Sequence, residues 1–192
     1  MSFFARWRAE RELQRKAAVF VTALFREPDE SDVQWLTQNA TGGDFDHARW
    51  ELRYARRALG LIAAQRDALD DRTASIVARE IAEAFGRDRN IAAGMLETAE
   101  RQFNVRLSAY RDGLAARAGA PTPIRMGQTL FAFAGGSFKL RDDNIVRAGD
   151  LLGAYLAEAN EALRAAFGTA VLPDNVPPSA LVADGATRAS RD

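Results

Sequence analysis

The sequence predicts an all-α protein: a helical bundle of about six or seven helices with a loosely ordered C-terminal tail. Three observations carry that expectation. Phe45, Ala48, Leu52, Ala55, Leu59 and Ile62 recur at steps of three and four and resume at Leu69, the period of one helix face. Shorter stripes of the same period precede and follow it, bracketed by aspartate, serine, glycine or proline. Only residues 124–140 also fit the alternation of paired strands.

The first stripe is Leu13, Ala17, Phe20, Val21 and Leu24, closed by Pro28. Ser31 followed by Gln34 has the form of a capping box for a short helix that buries Val33, Trp35 and Leu36. Asn39 to Gly43 is a break of turn formers, after which Asp44 caps the long ladder helix. Trp50, Tyr54, Ala58 and Leu61 form a second apolar row on that helix, which predicts a place at the centre of the bundle. Asp70-Asp71 predicts a turn and a new cap, and Val77, Ile81, Ala84 and Phe85 a further face ended by Gly86. Asp88 is expected to restart a long helix with the stripe Ile91, Met95, Ala99, Phe103, Tyr110 and Leu114.

Residues 118–123 read as a linker, with Pro123 placed to open a helix after Thr122. Leu130, Phe131 and Phe133 before Gly135-Gly136, with Phe138 and Leu140 after, fit a glycine-terminated helix or a hairpin; helix is favoured. Asp142-Asp143 caps the last helix, which buries Ile145, Leu152, Leu156, Ala159, Leu163 and Phe167. Residues 1–170 are assigned to the bundle. Residues 171–192, with prolines at 173, 177 and 178, are assigned to a flexible tail holding too little apolar surface to offset the entropy of ordering.

Composition removes several chemistries. The chain has no cysteine, which excludes disulfides and zinc-thiolate sites, and its 26 basic and 26 acidic residues balance. A dedicated nucleic-acid binder carries a basic excess, so nucleic acid is a disfavoured partner. Arginine outnumbers lysine 24 to 2, which is read as codon usage in a GC-rich bacterium. The first 25 residues superficially resemble an export signal, but Glu10 and Glu12 interrupt the basic part and the apolar run is too short to span a bilayer. A cytoplasmic protein without a membrane span is expected. No glycine-rich phosphate loop accompanies Lys16 or Lys139, no nucleophile elbow occurs, and no cofactor or metal site is assigned.

The weak catalytic candidates are His47, the only histidine, with Glu51 and Tyr54. Four residues apart on a helix, His47 and Glu51 meet, and Glu51 could set the tautomer of a general base. The structural alternative has His47 bonded to Glu51 and facing a loop, while Glu51 meets an arginine from a neighbouring helix. Glu80/Glu83, Glu97/Glu100 and Glu158/Glu161 would need a histidine partner motif to hold two metals, and are read as solvated. The aspartates at 67, 70, 71, 142 and 143 are read as caps.

Interaction surfaces are the remaining candidates. Arg49, Arg53, Arg56 and Arg57 form a stripe opposite Glu51 that could grip an acidic partner or phosphates, or be a solvated face balanced by acids. Phe3, Phe4 and Trp7 beside Arg6 and Arg8 could dock a second subunit. The function expected is therefore non-enzymatic: a scaffold, adaptor or regulator acting through a protein partner or self-association, a homodimer included. The alternatives are a small-ligand-binding or enzymatic bundle with a pocket at His47 and Glu51, and a nucleic-acid-associated regulator using the arginine stripe.

Overall fold

The computed structural model describes residues 3–67, 71–137 and 142–168, with the backbone alone for residues 3–6. Leu69, Asp70, Phe138, Lys139, Leu140 and the assigned tail 171–192 lie outside the described residues. Within them the chain forms seven α-helices and no strand: α1 Phe3–Leu24, α2 Glu30–Asn39, α3 Phe45–Asp67, α4 Asp71–Arg87, α5 Leu96–Ala115, α6 Thr122–Phe133 and α7 Asp143–Phe167. No described helix is long and apolar enough to cross a membrane.

The ladder helix α3 is the centre of the molecule. It touches each of the other six helices, while neighbour contacts run from α1 to α4, α5, α6 and α7 and back to α1. Glu51 to Ala55 and Arg57 to Ala64 are all buried, so α3 is covered on every side rather than on the two that its apolar rows predict. Small residues make such close packing possible. A methyl group on Gly60 would collide with the Leu24 side chain of α1.

The circuit is closed by specific contacts. Phe20 of α1 meets Phe167 of α7 edge-on, with ring centres 6.5 Å apart. Where α6 crosses α7, two glycines replace side chains with backbone: a methyl on Gly127 would overlap the Ile145 carbonyl oxygen, and one on Gly149 the Pro123 carbonyl oxygen. Trp35 of α2 lies 5.8 Å from Phe131 of α6.

Most helix starts and stops follow the sequence signals. Asp44 Oδ1 accepts the His47 backbone N–H at 2.9 Å, and Asp142 Oδ1 accepts that of Asn144 at 2.9 Å. Residues 124–133 are helical, as favoured. The stop after them is a glycine motif: Gly135 adopts φ 78°, Gly136 N–H donates to Phe131 O at 2.9 Å and Gly135 N–H to Ala132 O at 3.3 Å.

Three expected starts are corrected. Helix α6 takes in Thr122, with Pro121 at the cap position and Pro123 inside the first turn. Helix α2 opens at Glu30, with Asp29 as its cap residue and no side-chain cap bond, so Ser31 lies inside the first turn. Acidic Glu30 and Asp32 complement the helix dipole there. Asp88 does not start α5, which begins at Leu96. Its carboxylate instead accepts the backbone and side-chain N–H groups of Asn90 at 3.0 and 2.9 Å, a turn that competes with helix. Gly94, at φ 82°, extends the break, and Met95 is exposed rather than part of the stripe.

Candidate functional site

His47 sits in the first turn of α3 and Glu51 one turn later, facing α5 and the end of α6. Glu51 Oε1 lies 3.3 Å from His47 Nε2, and its side chain is 2% exposed against 38% for His47. Arg106 of α5 grips the same carboxylate as a fork: Nε donates to Oε2 at 2.8 Å and Nη2 to Oε1. His47 Nε2 is also 3.2 Å from the Phe133 carbonyl oxygen at the end of α6. With two oxygens around it, Nε2 is the donor, so the imidazole bridges α3 and α6 while Glu51 bridges α3 and α5.

Aromatic rings close the cluster. The Arg106 guanidinium lies 4.6 Å from the Phe133 ring centre and 5.1 Å from that of Tyr54. Tyr54 donates its hydroxyl proton to Gln102 Oε1 at 3.0 Å. Burial alone would depress the Arg106 guanidinium, but the bonds to Glu51 outweigh it and hold its pKa above the ordinary value. Burial pushes the Tyr54 phenol up as well, against the pull of Arg106. Both oxygens of the Glu51 carboxylate are engaged by the Arg106 guanidinium, and His47 Nε2 is taken up by its two partner oxygens, so neither group faces a space that a substrate could enter. The three candidates are brought together, and what they form is a buried tie between three helices.

The arginine stripe is also built inward. Arg53 and Arg57 are buried, at 5% and 2% exposure, instead of forming part of a solvated face. Each member has one carboxylate and at least one aromatic ring. Arg49 pairs with Glu30 at 2.9 Å over Phe45, and Arg53 with Glu27 at 2.8 Å over Trp50. Arg56 pairs with Glu158 at 3.1 Å over Tyr155, and Arg57 with Asp88 at 2.7 Å between Phe25 and Phe85. A guanidinium's flat, weakly hydrated faces suit both partners. The stripe thus offers no continuous unpaired positive face to phosphates.

Trp7 is different. It is 50% exposed on α1, and Arg11 lies 4.6 Å over its ring. Among the described residues neither Arg8 nor Arg11 has a carboxylate partner. Phe3 and Phe4 fall in the first turn of α1, where the backbone alone is described.

Two concavities stand out. One, of about 510 Å³, runs along α5 beside Glu97, Glu100, Arg101 and Val105; the other, of about 460 Å³, lies between the end of α1 and α7. Neither is lined by His47, Glu51 or Tyr54. The sequence reading missed Arg106, although its place in the α5 stripe, three residues after Phe103 and four before Tyr110, marks a cation on the buried side.

Comparison with protein-family models, with curated proteins and with solved structures gives no match.

Proposed function

We propose that this protein is a non-enzymatic helical bundle acting through protein–protein contact, with the basic aromatic face of α1 around Trp7 as its docking surface and an acidic segment as its partner. The observation that carries the reading is a half-exposed tryptophan flanked by Arg8 and Arg11, in a chain whose Arg49–Arg57 stripe is paired throughout. Tryptophan and arginine are the residues on which interface energy concentrates, and unpaired guanidiniums select for carboxylates. Val19, 59% exposed, is a further exposed apolar residue of α1, about 18 Å along the helix from Trp7 at the helical rise. The arginine-dominated, cysteine-free composition supports a bacterial cytoplasm as the setting.

Panning the full chain against a random-peptide display library tests this reading. Sequences rich in Asp and Glu around an aromatic or aliphatic residue should be enriched. Their affinity should fall at least about tenfold in Trp7→Ala or Arg8→Glu/Arg11→Glu, and weaken with added salt. Enrichment indifferent to those changes, or none, overturns the reading. So does a dimer in sedimentation that Trp7→Ala dissolves, which would make a second copy the partner.

A further inference from the structure

The basic face of α1 has a register as well as a charge. Arg8 and Arg11 are joined there by Arg15, and all three are exposed. At the helical period they fall within about 60° of one another around α1. That is the side away from the buried stripe of Ala17, Phe20, Val21 and Leu24. Trp7 borders the row, with the Arg11 guanidinium over its ring. Arg15 forks onto Glu12, Nε donating to Oε2 at 3.1 Å and Nη2 to Oε1 at 2.8 Å, with both side chains out in solvent. An exposed pair of this kind is worth little, so Arg15 can exchange Glu12 for an incoming carboxylate at small cost. The other acid on this stretch, Glu10, is taken by Arg72 of α4. Arg8, Arg11 and Arg15 against Glu12 leave the row positive.

We propose that the acidic partner docks on this row as an α-helix, with carboxylates three and four residues apart and an apolar residue beside them for Trp7. The inference rests on the docking reading above and adds the partner's conformation. The spacing carries it. Arg8, Arg11 and Arg15 rise along α1 by about 4.5 Å and then about 6 Å. A second helix has the same rise, so carboxylates on one of its faces, at steps of three and four, meet all three cations in one register. An extended segment presents groups on one side about every 6.7 Å and falls out of step by about 3 Å over the row. Glu12, at the edge of the row, repels a carboxylate that is out of place and so helps to fix the register.

The test titrates the full chain into three labelled peptides, read by fluorescence anisotropy and circular dichroism. The first carries glutamates at steps of three and four beside a leucine in an alanine background. The second has the same composition with the glutamates at alternate positions, and the third is the first with a proline at its centre. The first should bind at least about tenfold more tightly than the other two and gain helicity on binding. Arg15→Ala should weaken it by about threefold or more and narrow its lead, while Glu12→Gln, which frees Arg15, should tighten it. Equal binding of the three peptides, lost in Trp7→Ala, would overturn the helical partner and leave the acidic docking face standing. An Arg15→Ala variant that binds the first peptide as well as the parent does would have the same meaning. Binding of none, with or without capture of the chain by phosphatidylglycerol vesicles, would overturn both.

Discussion

A guanidinium inside a protein keeps its proton, so it must find a carboxylate and a surface for its flat faces. Asp88 supplies the first for Arg57, and both side chains are nearly inaccessible, at 5% and 2%. Burial alone would raise the Asp88 pKa, but the Asn90 backbone N–H and the Arg57 guanidinium hold it below the ordinary 3.8. The depressed value is the folded one. The contribution to stability is therefore present above about pH 4 and lost as pH falls through the folded value. Asp88→Asn should cost about 3 kcal/mol at pH 7 in urea unfolding, with the gap from the parent closing at lower pH. The Glu51 cluster gives a second expectation. Glu51→Ala strands the Arg106 charge and should cost about 3–5 kcal/mol, whereas His47→Ala, at a partly exposed site, should cost about 1 kcal/mol or less. Equilibrium unfolding of both variants checks the order; the reverse order would return His47 to consideration as more than a strut. The His47–Glu51 contact was legible in the sequence because helical spacing alone brings the two together. Arg106 lies 55 residues from Glu51, beyond the reach of any local period.

At the level of elements, the α6–α7 crossing depends on backbone meeting backbone. Gly127→Ala and Gly149→Ala must push the helices apart, because the atoms in the way are carbonyl oxygens that cannot rotate aside. Each should lose about 1–3 kcal/mol, or more, in thermal unfolding. Gly153→Ala, on the same helix and facing open space, should gain about 0.5–1 kcal/mol from helix propensity. The contrast separates packing from propensity within one element. Helix existence was legible where a stripe repeats over several turns, whereas α6 fitted a hairpin as well and the apolar residues of α2 span about one turn. Starts were less so. Asp88 looks like a cap in isolation, but its carboxylate is claimed by Arg57, 31 residues away, and by Asn90, which together favour a turn. The placement of Ser31 failed for a smaller reason: Asp29 stands two residues earlier and opens the helix with its carbonyl rather than its side chain.

The whole molecule is a circuit of five helices around α3, with α2 also packed on the central helix. That α3 is central was legible from its two apolar rows. That its arginine side is covered too was not, since nothing in a local pattern tells a solvated arginine from one that meets Glu27 or Asp88 across the fold. The docking face depends on which side chains the packing leaves unused, and only the assembled molecule reveals that. The circuit also has a direction in time. Ribosomes deliver α1 to α6 first, yet α7 is the element that seals α6, flanks α3 and meets α1 through Phe20 and Phe167. A nascent chain that has not yet released residues 143–167 holds the alanine-rich stretch of α3 and the apolar face of α6 open to solvent. Productive folding therefore waits for α7 to be made, and a chain stalled before it presents the sticky surface that holdase chaperones recognise.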